Sequence, residues 1–239
     1  MSLLPAFPFA TLSSRPAQWR PGLPASVRHN DIFASDGEAS GAGVALALAL
    51  DQDSSEGQRP WLWVQDKAAR RLGGRPYRPG LPAALRHRLI HVAAGSPEDA
   101  LFALEEGLRC RDLAFVIGEI GGNPKALNFT ASRRLSLAAE THGTPLWLVR
   151  LGAARDLGSA RLRWEVRAAP SPPPRWNAYA PGIPSWRAEL FRAHVYQPGH
   201  WILRDDARLV AEPARIFSDA PPHPGGVVRA AGARPLAAG

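Results

Sequence analysis

The chain has 239 residues, 45% of them hydrophobic, and a formal net charge of +8, which is enough for one large domain or two small ones. A single cysteine, Cys110, excludes an internal disulfide framework and favours a reducing, cytoplasmic location. The longest apolar run, 44–50, is too short to cross a bilayer, so no membrane partner is expected.

The basic charge comes almost entirely from arginine, since Lys67 and Lys125 are the only lysines. Arginine pairs well with phosphates and with carboxylates. The net positive charge could therefore serve to bind nucleic acid or an acidic protein, or it could simply reflect Arg-rich codon usage. Because the arginines are spread along the chain and Ala and Pro are also abundant, we favour codon usage.

Composition divides the chain into three parts. Residues 1–26 are rich in Pro, Arg and Ser and are interpreted as a leader with little structure of its own. Residues 218–239 are rich in Pro, Gly and Ala and are predicted to be a disordered tail. Residues 27–217 are predicted to form the folded domain.

Strand and helix patterns alternate through the first part of that domain. Strands are predicted at 27–34, 61–65, 89–93, 113–117 and 145–151. One helix is predicted to begin after Ser96, which is followed by Pro97 and two acidic residues, and a second after Thr130. This order predicts an α/β fold with a mostly parallel sheet flanked by helices.

Beyond residue 158 the pattern changes. The segments SARLRWEVRAA, WRAELFRAHVY and HWILRDD alternate polar and apolar residues, which is typical of half-exposed antiparallel strands. The domain is therefore predicted to end in an antiparallel meander.

The segment FASDGEASGAGVALALAL, at 33–50, places a glycine-rich turn between a strand and an apolar helix. A phosphate-binding P-loop has G-x-x-x-x-G-K-[ST] at such a junction. Here Gly41 is followed by Ala42 and Gly43 in place of Lys and Ser/Thr. We interpret Gly37, Gly41 and Gly43 as residues that shape a strand-to-helix turn, with no cofactor bound.

His87, His91 and Cys110 raise the question of a metal site. HRLIH lies in a predicted strand, and no further ligands follow at the usual zinc spacing, so no metal ligand is assigned.

The order and lengths of these segments resemble the ATPase core of RecA-type recombinases over roughly residues 27–205. Several details are most similar to the ImuA family, the RecA-like accessory proteins of translesion synthesis: PYRPGLP, LEEGLR, LNFTASRRLSLAAETHGTP and PSWRAELFRAHVYQPGHWILRDD. The resemblance implies a role in damage-induced mutagenesis beside an ImuB-type Y-family-like polymerase, with RecA as a further candidate partner. It also implies association with the nucleoid during DNA damage.

Departures from the RecA pattern argue against catalysis. Asp36 stands at the first glycine of the loop, Ala42 at the lysine, and Gly118 at the metal-binding aspartate, with Glu119 one residue later. We therefore expect a degenerate loop, no catalytic residues and no enzyme activity. A SulA-type division inhibitor and a residual nucleotide- or DNA-binding RecA paralogue remain alternatives.

Candidate partner-binding residues are tryptophans and arginines outside the predicted core. Trp19 and Arg20 lie in the leader, and Trp176 lies in a proline-rich loop. Trp and Arg are typical anchors of protein interfaces. Arg133 and Arg134, at the start of their predicted helix, are further candidates. The loops at 121–128 and 152–158 each have one basic residue and no aromatic residue, so any DNA contact through them is expected to be weak.

Overall fold

A nine-stranded mixed sheet runs through the molecule. The computed structural model describes residues 17–23, 27–53, 58–177, 179–206 and 208–214, so the predicted tail at 218–239 lies outside the described residues. The strands are β1 Ala17–Gln18, β2 His29–Ala34, β3 Trp61–Gln65, β4 Leu89–Ala93, β5 Val116–Gly121, β6 Leu146–Leu151, β7 Leu162–Ala168, β8 Ser185–Ala193, β9 Tyr196–Gln197, β10 Gly199–Asp206 and β11 Arg208–Pro213. The helices are α1 Ser40–Gln52, α2 Lys67–Gly73, α3 Ala83–Arg86, α4 Pro97–Arg109 and α5 Phe129–His142, with a 3₁₀ turn at Arg78–Gly80.

The large sheet has the order β11-β10-β8-β7-β2-β6-β5-β3-β4. Strands β4, β3, β5, β6, β2 and β7 are mutually parallel, and β7, β8, β10 and β11 continue the sheet as antiparallel neighbours. The predicted α/β class, with a mostly parallel sheet that ends in antiparallel strands, is confirmed. The short strand β1 pairs with β9 in a separate two-stranded sheet.

Helices cover both faces of the parallel strands. The α1 face buries residues of α1, α2 and α3 in a core with six tryptophans of the sheet, Trp61, Trp63, Trp147, Trp164, Trp186 and Trp201. The opposite face buries the apolar side of α4 and α5, including Leu104. Strands covered on both faces are nearly continuously apolar, which explains why runs such as WLWVQ stand out in the sequence.

Local signals account for the ends of the long helices. The Ser96 hydroxyl caps α4 by accepting a hydrogen bond from the Asp99 N–H at 3.1 Å. Helix α5 begins one residue before Thr130, because the side chain of Asn128 accepts from the Ala131 N–H at 3.0 Å. It ends at His142 and is followed by Gly143, whose φ of 74° is left-handed.

Two strand boundaries were displaced in the prediction. Strand β5 begins at Val116 and continues to Gly121, later than the predicted 113–117, and β2 begins at His29. Leu113, Ala114 and Phe115 are buried before the strand begins, so their apolar side chains extended the predicted run. Within the described part of the chain, no helix is long and apolar enough to span a membrane.

Candidate functional site

A cleft lies at the carboxyl ends of the parallel strands, on the α1 face of the sheet. It encloses about 230 Å³ and is bordered by the start of α1, by β3, and by the segment that follows α2. Ligands of open α/β sheets bind at this edge, so the cleft is the candidate site. The lining residues are Asp36, Glu38, Ala39, Ala42, Trp63, Gln65, Gly73, Gly74, Arg75, Pro76, Tyr77, Glu119 and Leu151.

Carboxylates dominate the charge of this cleft. Asp36 and Glu38 come from the turn before α1, and Glu119 comes from β5; Arg75 on the opposite side is the basic lining residue. The Glu38 carboxylate accepts a hydrogen bond from the Ala168 N–H at 2.9 Å, which ties the turn to the end of β7. The carboxylates of Asp36 and Glu38, beside the start of α1, create a negative potential that opposes a phosphate group at that point.

Glu119 is buried at the floor of the cleft and is held by two neighbouring side chains. The Trp63 Nε1–H donates to its Oε1 at 2.6 Å, and the Gln65 Nε2–H donates to its Oε2 at 3.1 Å. Burial raises the pKa of Glu119; the hydrogen bonds from Gln65 and Trp63 lower it, the negative charge of Asp66 raises it, and the net shift is upward. Glu119 is thus a fixed acceptor inside a polar network.

Gln65 extends this network to the sheet edge. Its Nε2–H also donates to the Gly74 carbonyl at 2.9 Å, and its Oε1 lies 2.9 Å from Nε2 of His91 on β4. The next residue, Asp66, accepts from the Ala69 N–H at 2.7 Å and from the Gly121 N–H at 3.3 Å. Asp66 is therefore occupied in capping α2.

The glycines of the predicted loop differ in their roles. Gly37 lies in the turn, whereas Gly41 and Gly43 lie inside the first turn of α1, which begins at Ser40. The interpretation that all three shape the turn therefore holds for Gly37 alone. A Cβ added at Gly41 would lie 2.6 Å from Val149 Cγ1, and one added at Gly43 would lie 2.8 Å from the Trp186 ring. These two glycines allow α1 to approach the sheet closely.

Comparison with known proteins points to one family. No protein-family model matches the chain. Protein ImuA of Caulobacter vibrioides, in strains NA1000 / CB15N and ATCC 19089 / CIP 103742 / CB 15, is 35% identical over 155 residues. The match covers 60% of this chain and 60% of each relative. This similarity supports assigning the chain to the ImuA family.

The predicted partner-binding residues are not gathered in one place. Trp19 is 3% exposed and belongs to the core on the α1 face, so the expectation that it has no core to join is wrong. Arg20 beside it is exposed. Arg133 and Arg134 are exposed on α5, which covers the opposite face. The Arg134 Nε–H donates to Glu105 on α4 at 2.5 Å.

Trp176 is exposed, as a partner-binding tryptophan would have to be. It is 81% exposed in the segment between β7 and β8. Among the predicted tryptophans it is thus the one whose ring faces solvent and is available to a second molecule.

Sequence reasoning placed Glu119 but missed its partners Trp63 and Gln65. Both lie in WLWVQ on the strand next to β5, with Gln65 directly opposite Glu119. The sequence signal that could have identified Gln65 is its place as a polar residue at the end of an otherwise apolar strand. The register that brings it beside Glu119 is a tertiary property.

Proposed function

We propose that this chain is a non-catalytic adaptor with a RecA-like core in damage-induced error-prone translesion DNA synthesis. Its similarity to Protein ImuA supports a place in the DNA-damage mutagenesis pathway. The matched region spans 60% of the relatives' length, so activity and partners are part of the proposal. In this proposal the protein binds an ImuB-type Y-family-like polymerase, with RecA as a second candidate partner.

One observation carries the non-catalytic part: the cleft where a RecA-like ATPase would hold phosphates is lined by Asp36, Glu38 and Glu119. Ala42 and Gly43 stand at the lysine and hydroxyl positions and lie inside α1, so no phosphate-binding side chain comes from this segment. We therefore propose that the cleft is a vestige of a nucleotide site and that the protein works by binding.

Trp176 supports the adaptor part of the proposal. A tryptophan with this exposure leaves a large apolar ring in water, and such rings anchor protein interfaces. Arg133, exposed on α5, is a second proposed contact.

The proposal is tested by affinity capture with the full chain as bait, from DNA-damaged cells treated with nuclease. We expect recovery of the Y-family-like polymerase, in equal amounts with and without ATP and Mg²⁺, and equally with the Ala42→Lys variant. The Trp176→Ala variant is expected to recover several-fold less polymerase, because it loses an interface anchor. Phe102→Ala on α4, another exposed aromatic, is the matched control.

Other recoveries would contradict the proposal. Capture of the tubulin-like division protein without the polymerase would favour a SulA-type inhibitor. Capture that requires ATP, or that Ala42→Lys increases, would show that the cleft still binds nucleotide.

A further inference from the structure

The positive charge of the protein is concentrated in one segment. Residues 67–97 contain seven Lys or Arg residues and no Asp or Glu, whereas the rest of the chain contains 22 basic and 21 acidic residues. Arginines are spread along the chain as the sequence analysis states, but the net positive charge is not. The seven residues are Lys67, Arg70, Arg71, Arg75, Arg78, Arg86 and Arg88.

The fold gathers this segment at the β4 edge of the sheet, where α2, the 3₁₀ turn and α3 precede β4. Arg70 donates to the Ala94 carbonyl at 2.9 Å, and Arg78 donates to the Leu89 carbonyl at 3.3 Å, so these guanidinium groups reach opposite ends of β4. Burial and then the charges of Arg75, Arg70 and Arg78 lower the pKa of His91, in the middle of that strand. One strand thus experiences the potential of three arginines.

None of the seven forms an ion pair within the described residues, although Arg75 and Tyr77 also border the cleft that contains Asp36, Glu38 and Glu119. Nine arginines elsewhere, by contrast, form ion pairs with Asp or Glu. Lys67, Arg71, Arg75, Arg78 and Arg88 are also exposed. Exposed basic side chains that form no ion pair attract polyanions.

An aromatic ring lies within the cluster. Tyr77, between Arg75 and Arg78 in sequence, is 75% exposed, and a Cβ added at Gly80 would lie 3.1 Å from its Cδ1. The ring is therefore positioned beside the 3₁₀ turn with much of its surface open to solvent. Exposed aromatic rings among basic side chains are the feature on which successive bases of a single strand stack.

We propose that Lys67, Arg71, Arg75, Tyr77 and Arg78, here called the basic edge, bind single-stranded DNA. The basic side chains contact backbone phosphates without reading sequence, and a base stacks on Tyr77. Tyr77 favours DNA over an acidic protein segment, since carboxylates need no stacking platform. The inference rests on charge and geometry and does not depend on the adaptor proposal.

The test is fluorescence anisotropy of a labelled oligothymidylate of roughly 20 nucleotides, a length that exceeds typical single-strand site sizes, with the purified full chain. The charge variant is Lys67→Glu/Arg71→Glu/Arg75→Glu, three exposed residues whose side chains make no hydrogen bond to the described part of the chain. The control is Arg187→Glu/Arg192→Glu/Arg208→Glu, three exposed arginines on β8 and β11 with the same charge change. Thermal unfolding of each variant checks that it is folded.

We expect the wild type to bind the oligothymidylate, with an affinity that falls as the salt concentration rises. The charge variant should bind at least about tenfold more weakly. The slope of log K against log salt concentration should become shallower by roughly 0.7 for each phosphate contact that is removed. The control should stay much closer to the wild type. Tyr77→Ala should weaken binding about fivefold or more with an unchanged salt slope, because it removes stacking and no charge.

Three results would overturn the proposal: no binding by the wild type, equal losses in the two triple variants, or tighter binding of a polyglutamate peptide than of the oligothymidylate. The last would make the basic edge a docking site for an acidic protein. The two proposals can fail separately. If the wild-type protein binds the oligothymidylate but captures no polymerase, the adaptor proposal is wrong and the proposal for the basic edge is supported.

Discussion

The Asp31 carboxylate is buried in the sheet between two basic side chains. Its Oδ2 accepts from the Arg163 Nε–H at 3.1 Å, and its Oδ1 lies 3.2 Å from His29 Nε2. Arg163 also reaches Asp156 at 3.4 Å, and Arg150 reaches the same carboxylate at 2.9 Å. Asp31, Arg163 and Arg150 are nearly inaccessible to water, so each charge depends on its neighbours.

Replacement of Asp31 by Asn should destabilise the protein at neutral pH by about 3–5 kcal/mol, because it leaves Arg163 buried without its main counter-charge. Urea unfolding measures this loss. The pair of half-buried Arg204 with exposed Glu212 gives the control, Glu212→Gln, which should cost about 1 kcal/mol or less.

The buried pair of Asp31 and Arg163 predicts that the stability of the protein depends on pH. Burial alone raises the pKa of Asp31, but the interaction with His29 and the charges of Arg163 and Arg150 outweigh it, so the pKa lies below its ordinary value. A lowered folded-state pKa contributes stability above the unfolded pKa, and this is lost as pH falls through the folded value. The gap between wild type and Asp31→Asn should therefore narrow in acid; a constant gap would contradict the assignment.

At the scale of elements, α1 is shaped by how closely it lies on the sheet. It buries Val44, Ala45 and Leu48 along with small residues, and Gly41 meets Val149 and Ala34 of the strands beneath it. Glycine is less favourable than alanine in a helix by about 1 kcal/mol. Gly41 is therefore explained by the lack of room for a Cβ atom between α1 and the sheet.

The Gly41→Ala variant should be less stable than the wild type despite its better helix propensity. The added Cβ would lie within 2.9 Å of Ala34 Cβ and still nearer Val149, and overpacking costs about 1–3 kcal/mol. Gly37→Ala is the control: the nearest atom is 3.7 Å away, and little change is expected. Chemical denaturation of both variants decides; a stabilised Gly41→Ala would mean that α1 can move away from the sheet.

At the scale of the whole molecule, the segment before β2 joins the antiparallel half of the sheet. Trp19 contacts Trp164 and Trp201 edge-to-face, with ring centroids 4.8 and 5.3 Å apart. Strand β1 next to it pairs with β9. Part of the predicted leader is thus built into the core, whereas the domain boundaries at 26 and 217 remain predictions.

Trp19→Ala should lower the free energy of unfolding by about 3–5 kcal/mol, as expected for a large buried aromatic residue. Trp176→Ala should change it by no more than about 0.5 kcal/mol, since its ring is exposed. Thermal or urea unfolding of the two variants compares them directly. Equal stabilities would mean that the Trp19 ring leaves the core readily.

Elements whose signals are local could be predicted from the amino-acid sequence. The run WLWVQ predicted β3 at its observed ends, Ser96 predicted the start of α4, and alternation beyond residue 158 predicted antiparallel strands. The sequence also shows which chemistry the α1 segment lacks, because the Lys and Ser/Thr positions are read directly from the chain. These features depend on residues adjacent in sequence.

Contacts between residues that are distant in sequence became visible in the folded structure. Trp19 looked unpartnered because Trp164 and Trp201 are more than a hundred residues away, and Glu119 gained its partners through the β3–β5 register. The basic edge required knowing which arginines lack a carboxylate nearby, and ion pairs form across the fold at distances of a few ångströms. Pairing in space is set by strand order and register, which local propensity does not encode.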